Sequence, residues 1–218
     1  MPTNQHPVVL PAEALEGPDA ELVDANIDVV NAMYAELLGE DEIALNALRS
    51  YYVDFYLTEA LEGGFAQYAV SAGDREDLDQ LVRDGLREMG APGHLELFEA
   101  AAKAFDALSE DDAETYLVGE GEASAAVAAM EALDDEFEET LEAEDLVALN
   151  GAWLRRQDGL LALDDDGIED EIARRVGLVP DLEERRAQVE LLADAADGGF
   201  DDAYDDEIES GVEDVTRR

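Results

Sequence analysis

The stretch EALEGGFAQY, residues 59–68, interrupts a chain that otherwise shows the periodicity of one helix after another. Two adjacent glycines, Gly63 and Gly64, lie at its centre. Glycine has no Cβ and therefore adopts the positive φ that ends many helices without steric cost. We predict that a helix ends near Glu62, that the glycines cap it, and that the chain turns back into the core at Phe65.

Two side chains with polar tips are predicted to hold this turn in place. The Gln67 amide can donate hydrogen bonds to carbonyl groups exposed at the helix end. Tyr68 combines a large apolar ring with a hydroxyl that needs a polar partner. These properties favour a structural corner over a ligand site. The members of this corner are Gly63, Gly64, Phe65, Gln67 and Tyr68.

Amphipathic helices are predicted on both sides of the corner. The clearest is REDLDQLVRDGLREMG, residues 75–90, in which apolar side chains recur at helical spacing opposite a charged face. Asp19 begins an earlier helix, and a second runs from Asp41 to the corner with an aromatic face containing Leu48, Tyr51, Tyr52 and Phe55. Helical periodicity continues near residues 94–108, 122–142, 144–157, 167–176 and 181–196.

No segment alternates between polar and apolar residues with a period of two, so we predict no strand. The predicted fold class is therefore all-α, a compact multi-helix bundle with short loops and no sheet. Changes in composition predict a proline-rich N-terminal arm (residues 1–18), an all-α domain (residues 19–160) and an acidic helical C-terminal extension (residues 161–218).

The chain carries a large negative charge. It contains 58 Asp and Glu residues against 13 Lys and Arg residues, which gives a formal net charge of −45, and Lys103 is its one lysine. Acid excess with lysine depletion is typical of proteins from extreme halophiles, in which concentrated non-specific counter-cations screen the repulsion between carboxylates. The scarcity of basic residues argues against direct binding of nucleic acid.

Cysteine is absent and histidine is isolated in this sequence, and with 58 Asp and Glu residues no pair of carboxylates is a specific catalytic signal. There is no cysteine, which excludes disulfides, thiolate metal sites and cysteine nucleophiles. His6 and His94 lack a nearby serine or a second histidine at metal spacing. A calcium loop aligned on Gly167 would need acidic residues where Ala162 and Ala173 stand. We predict no catalytic, metal or cofactor site, and therefore no enzyme.

The remaining sequence features concern the surfaces of helices and the location of the protein in the cell. Three arginine pairs lie among acids and predict salt-bridged helix faces: Arg155-Arg156, Arg174-Arg175 and Arg185-Arg186. The N-terminus lacks the basic region of a secretion signal, and no apolar run reaches the length of a membrane span. We therefore predict a cytoplasmic protein with no membrane partner.

The motif GGFAQY resembles the G-G-F-x-Q-Y signature of the DNA-mimic protein family. The segments on either side are also similar: the aromatic helix YYVDFYLTEALE before it, the Met89-Gly90-Ala91 step after the next helix, and ALDDEFEE at residues 132–139. The similarity covers roughly residues 40 to 157. Glu62 stands where the family usually has an asparagine before the glycines.

The resemblance implies an all-α homodimer whose carboxylates replace duplex phosphates and occupy the basic face of a DNA-binding protein. A mimic must present negative charge at roughly the density of B-DNA, one charge per about 1.7 Å of axis. Two helical segments supply the candidate mimic carboxylates, which are Asp111, Asp112, Glu114, Asp134, Asp135, Glu138 and Glu139.

Two functional hypotheses are compatible with these sequence features, and nothing specific supports a third, an enzyme. The first is an interaction protein of the DNA-mimic type. The second is an all-α protein-binding module whose acidity is salt adaptation only. Acids aligned in two rows favour mimicry, whereas an even acidic coat favours adaptation. At 1 M salt the Debye length is about 3 Å, so mimicry in a halophile needs close, shape-matched contacts.

Overall fold

The computed structural model describes residues 6–119 and 124–197, and the chain divides into one unit up to Val176 and a second from Gly177. The predicted helical bundle is confirmed within the described residues. A 3-10 helix spans Ala14–Glu16. The α-helices are α1 (Asp19–Ala35), α2 (Leu45–Ala72), α3 (Glu76–Met89), α4 (Pro92–Asp106), α5 (Glu110–Val118), α6 (Ala125–Ala143), α7 (Leu146–Leu154), α8 (Asp165–Val176) and α9 (Leu182–Asp197).

The glycine corner divides α2 into two helical segments, because the backbone leaves helical geometry at Gly63 and Gly64, next to the predicted helix end at Glu62. Gly64 adopts the predicted positive φ, at 65°, whereas Gly63 has an extended φ of −162°. Helical geometry resumes at Phe65, whose ring is buried as predicted. The corner therefore joins two helical segments at a kink, because one residue with positive φ redirects the backbone.

The buried face of α2 differs from the predicted aromatic face. Leu48 is buried as predicted, but the rings of Tyr51, Tyr52 and Phe55 are only half-buried. The central buried ring is Tyr56, which makes edge-on contacts with the rings of Tyr68, Phe98 and Phe137. The outer tyrosines keep their hydroxyl groups near water, where the Tyr51 hydroxyl donates to Asn31 Oδ1 at 3.0 Å.

A small sheet corrects the prediction of a fold without strands. Strands β1 (Val9–Pro11) and β2 (Leu161–Leu163) pair in parallel, with Val9 opposite Leu161 and Leu10 opposite Ala162. The strands are three residues long and β1 is almost fully buried, so the period-two alternation that marks a half-exposed strand is absent. The partner strands are also far apart in sequence, which hides the pairing from local patterns.

Two arginines attach the N-terminal segment to the helices. The Arg175 guanidinium is buried and donates to the Pro7 carbonyl at 2.8 Å. Arg155 donates to the carbonyls of Leu15 and Gly17 at 3.0 and 2.7 Å and also pairs with Asp19. These arginines were predicted to form salt-bridged helix faces, but in the structure they also bind backbone of the predicted arm.

The unit boundary falls at a different place from the predicted domain boundaries. Residues 6–18 lie in the same unit as the helical bundle, and so do β2 and α8. The second unit begins at Gly177, and its helix α9 has an ion pair within one helical turn, between Arg186 and Glu183. Residues 198–218 of the predicted extension lie outside the described residues.

Candidate carboxylate interface

Helices α5 and α6 carry all seven candidate mimic carboxylates. Ser109 precedes α5 and its hydroxyl accepts from the Asp112 backbone N–H at 3.2 Å. Ser124 precedes α6 and its hydroxyl accepts from two backbone N–H groups in the first turn. Serine is a preferred residue for this position, because its hydroxyl satisfies N–H groups that have no helical partner.

The structure exposes most of the candidates and partly buries two. Asp112 and Asp134 are half-buried. The other five candidates are exposed to solvent: Asp111, Glu114, Asp135, Glu138 and Glu139. Three more exposed carboxylates on α6 were not among the candidates: Glu131, Glu136 and Glu142.

The exposed carboxylates of α6 follow the helix axis. Glu131, Asp135, Glu138 and Glu142 are spaced i, i+4, i+7 and i+11, which places them on one face. This stripe extends over about 16 Å at 1.5 Å per residue. The same spacing can be recognised in the sequence, but Glu131 and Glu142 lie outside the segment ALDDEFEE and were therefore missed as candidates.

Among the described residues of this region, the carboxylates have no basic partners. The sequence contains no Lys or Arg between residues 104 and 154, which is the longest such run in the chain. Across the described part of this run, no carboxylate between residues 107 and 154 forms a salt bridge. The surface of α5 and α6 therefore has strong uncompensated negative charge.

Asp134 differs from the exposed candidates because both of its carboxylate oxygens accept hydrogen bonds inside the protein. Oδ1 accepts from the Phe65 backbone N–H at 2.8 Å, and Oδ2 accepts from the Tyr116 hydroxyl at 2.8 Å. Burial raises the pKa of Asp134, although these two hydrogen bonds act in the opposite direction. Asp134 thus caps the second segment of α2 from a neighbouring helix.

The same carboxylate explains why the corner needs Gly64. A Cβ on Gly64 would lie 2.5 Å from Asp134 Cγ, well inside van der Waals contact, and the positive φ adds strain for any other residue. The corner and the segment ALDDEFEE are thus in direct contact, although 69 residues separate Phe65 from Asp134.

The other corner side chains bind neighbouring side chains. The Tyr68 hydroxyl donates to Asp79 Oδ1 at 2.7 Å, and Asp79 is buried beside the guanidinium groups of Arg75 and Arg83. Gln67 was predicted to donate to helix-end carbonyls, and this detail was wrong. Its amide donates to Glu59 Oε2 and Ser71 Oγ, both at 3.1 Å.

His94 lies in the first turn of α4, as predicted, and its ring is buried. The Glu144 carboxylate accepts from the backbone N–H groups of Gly93 and His94 at 3.0 and 3.2 Å. Burial lowers the pKa of His94, although the Glu144 carbonyl beside its ring acts in the opposite direction. Glu144 therefore caps α4 as Asp134 caps the second segment of α2.

Neither a metal-binding cluster nor a membrane-spanning helix occurs among the described residues. No cluster of three or more His, Asp or Glu side chains in residues 6–119 and 124–197 has the arrangement of a metal site. Within the same ranges, each helix is too short or too polar to cross a membrane.

Comparison with known proteins identified one family. The family model described as DMP19-like protein, which denotes proteins like DNA mimic protein 19, matches residues 41–157. This match covers the glycine corner, α5 and α6 together. No curated protein and no solved structure matched the chain.

Proposed function

The chain belongs to the DMP19-like protein family, and on this premise we propose that it is a non-enzymatic interaction protein whose carboxylates stand in for duplex phosphates. Its partner is then a DNA-binding protein with a basic face. The uncompensated carboxylate stripe on α6 is the observation that supports this proposal most directly.

The spacing of charge on α6 is comparable with that of one DNA strand. Counted around the whole helix and not along the stripe alone, six exposed carboxylates occupy eleven steps: Glu131, Asp135, Glu136, Glu138, Glu139 and Glu142. At 1.5 Å of rise per residue this is about one charge per 3.3 Å. B-DNA presents one phosphate per strand for every 3.4 Å of axis. Exposed acids on α5, such as Asp111 and Glu114, supply charge beside this row.

The absence of salt bridges in the described part of α5 and α6 also favours binding to a basic partner. A carboxylate already bound to an arginine must lose that contact before it can accept a new one. Within the described part of the chain, the exposed acids on α6 have no such contact to lose, so each can accept directly from a Lys or Arg of the partner. Screening at high salt leaves these short contacts as the main electrostatic attraction.

The test is displacement of duplex DNA from a basic partner that co-purifies with the protein at native salt. Protein and DNA would neutralise the same basic side chains, so they should compete for one face. The titration is performed in molar KCl with fluorescent duplex DNA. A triple variant, Asp135→Asn with Glu138→Gln and Glu139→Gln, should require at least about tenfold more protein for the same displacement, which corresponds to about 1.4 kcal/mol.

A matched triple variant on α8 serves as the control. Asp166→Asn, Glu169→Gln and Asp170→Asn also remove three exposed charges, but outside the family match. This variant should displace DNA as well as the wild type. Asp134 is left unchanged in both variants, because its carboxylate caps the corner. Loss of this cap would destabilise the fold, and the resulting loss of displacement would be mistaken for weaker binding.

The alternative, a binding module whose acidity is only salt adaptation, has its own supporting observation. Exposed acids also occur on α1 and α8, for example Asp28 and Glu169, so negative charge is not confined to α6. If both triple variants lose displacement equally, total charge determines binding and this alternative replaces the mimic. If neither variant changes displacement, the α6 stripe is not the interface.

A further inference from the structure

A cleft outside the α5 and α6 surface combines apolar walls with an acidic edge. It lies between the loop after α1, the first turns of α2 and helix α3, and has a volume of about 620 Å³. Leu45 and Leu48 of α2 and Leu81 of α3 supply the apolar lining. Leu48 is buried, whereas Leu45 and Leu81 are half-buried and remain open to a ligand.

Three exposed carboxylates surround this apolar lining: Glu40, Asp41 and Asp77. Glu40 accepts a hydrogen bond from the Tyr52 hydroxyl at 3.3 Å. In the described part of the chain, none of the three forms a salt bridge with Lys or Arg. The edge of the cleft is therefore negatively charged and can accept cationic groups.

The one basic residue that lines the cleft does not offset this charge. The Arg49 guanidinium contacts Glu88 at 2.7 Å and Asp84 at 3.4 Å. It also donates to Asn46 Oδ1 at 3.0 Å. Because two carboxylates already match its single charge, Arg49 leaves the edge acids uncompensated.

We propose that this cleft receives a short basic helix of the partner, inserting aliphatic side chains between the leucines while flanking Lys or Arg side chains contact Glu40, Asp41 and Asp77. The charge complementarity selects a cationic segment, and the leucine lining selects an aliphatic one. Amphipathic helices commonly bind grooves in this way. The cleft volume lies within the usual range of ligand sites, about 300–1,000 Å³.

This inference rests on the proposed function, since it describes a second contact with the same basic partner. It also supplies an attraction that salt does not screen. Charge pairs more than a few ångströms apart lose their attraction at molar salt, whereas burial of apolar surface does not depend on charge. The cleft would therefore retain the partner under conditions in which the α6 stripe acts only at contact distance.

The direct probe is a fluorescein-labelled, twelve-residue amphipathic peptide made of Lys and Leu. Its binding to the full chain is measured by fluorescence anisotropy in 2 M KCl. Two control peptides separate the contributions: one of Lys and Ser with the same charge, and one of Glu and Leu with the same apolar content. We expect the Lys–Leu peptide to bind and both control peptides to bind at least about tenfold more weakly.

Two sets of variants locate the binding. Leu81→Ser should weaken binding of the Lys–Leu peptide about tenfold, whereas Leu61→Ser, on an exposed face of α2 outside the cleft, should leave it unchanged. Asp41→Asn with Asp77→Asn should weaken binding, whereas Asp166→Asn with Asp170→Asn should not. The aspartate variants keep the test valid if Leu81→Ser does not fold.

Several results would overturn the inference. They are failure of the Lys–Leu peptide to bind, equal binding of the Lys–Ser peptide, or unchanged binding by both cleft variants. Sedimentation velocity in the same buffer tests whether a second copy of this chain occupies the cleft instead. If Leu81→Ser converts a dimer into a monomer, the cleft is a contact between copies of this chain.

The displacement assay separates this inference from the proposed function. If the α6 triple variant loses DNA displacement but keeps binding of the Lys–Leu peptide, both proposals are supported. If the α6 triple variant displaces DNA normally, the proposed function fails. If the cleft variants displace DNA normally in 2 M KCl, the cleft inference fails while the proposed function stands.

Discussion

Helices α3 and α6 are both acidic, but their carboxylates have different surroundings. On α3, Asp79 is buried and contacts two arginines, and Asp84 contacts Arg49 and Arg87. On α6, the exposed acids have no arginine or lysine within salt-bridge distance in the described chain. Asp79 and Asp84 of α3 therefore pair with arginines within the fold, whereas the exposed acids of α6, a helix without Lys or Arg, face solvent.

The same contrast appears between adjacent residues of α6. Asp134 binds the Phe65 N–H and the Tyr116 hydroxyl, whereas Asp135 is exposed. Whether a carboxylate caps a helix, balances an arginine or remains available to a partner depends on what packs against it. The difference between these surroundings should be measurable as a difference in stability.

Removal of salt should lower the stability of the fold more than any single substitution, and α6 should unfold first. Uncompensated charges repel each other in dilute buffer, whereas the arginine contacts of α3 offset part of this repulsion. Far-UV circular dichroism should show strong helix in molar KCl and lose much of it in dilute buffer. Hydrogen exchange during stepwise dilution should show α5 and α6 losing protection before α3. A helical spectrum that is unchanged in dilute buffer would contradict this prediction and the halophilic interpretation.

Removal of the Phe65 ring should cause the next largest loss of stability. Phe65 is 3% exposed and packs against the rings of Tyr68, Phe98 and Phe105. Phe65→Ala should lower the free energy of unfolding by about 3–5 kcal/mol, because it leaves a cavity in the core. Urea denaturation in molar KCl measures this change. Val70→Ala, at an exposed position of the same helix, should change stability by less than about 0.5 kcal/mol.

Gly64→Val gives an independent measure of the corner, since it adds atoms where Asp134 approaches and disfavours the positive φ. It should also be destabilising. If Phe65→Ala and Gly64→Val both melt like the wild type but lose a partner, the corner is a binding site.

The two neighbouring aspartates should differ when each is changed to alanine. Asp134→Ala removes a cap and leaves the Phe65 N–H and the Tyr116 hydroxyl without their acceptor, so it should cost about 2–3 kcal/mol. Asp135→Ala should cost less than about 0.5 kcal/mol, because its carboxylate is exposed. Thermal or urea unfolding in molar KCl compares the pair. Equal effects would show that the cap contributes no more than a surface charge.

The smallest expected change in stability concerns the titration of Asp54. Its carboxylate is half-buried and has no basic partner in the described chain. Burial and the nearby charge of Asp24 raise the pKa of Asp54 to about 6. Between its ordinary value of 3.8 and this raised pKa, the folded state keeps a proton that the unfolded state has lost. Stability from this group is therefore present at low pH and is lost as the pH rises through about 6.

Asp54→Asn removes this dependence on pH. Between pH 4.5 and 7.5, the wild type should lose about 1 kcal/mol of stability relative to Asp54→Asn, after allowance for partial solvent exposure. Urea denaturation at the two pH values, in the same molar KCl, provides the measurement. The control is Asp28→Asn, which removes an exposed aspartate of α1. Parallel pH profiles for the wild type and Asp54→Asn would contradict the prediction.

The sequence by itself determined most of the helices and the position of the corner, although the segments with helical periodicity did not include α5. Helical periodicity in residues 75–90 and positive φ at Gly64 depend on local geometry, so a short window of residues contains the whole signal. The burial of Phe65 followed from the same local turn. The i, i+4 spacing of acids on α6 also needs no tertiary information, but Glu131 and Glu142 were missed as candidates.

Only the tertiary structure decided which carboxylates remain available to a partner. Asp134 and Asp135 are the same residue type one position apart, and the contact of α6 with the corner of α2 distinguishes them. The pairing of Val9 with Leu161 and the binding of Pro7 by Arg175 likewise join residues more than 150 positions apart. Such contacts depend on how the helices pack, and no local pattern of residues contains them.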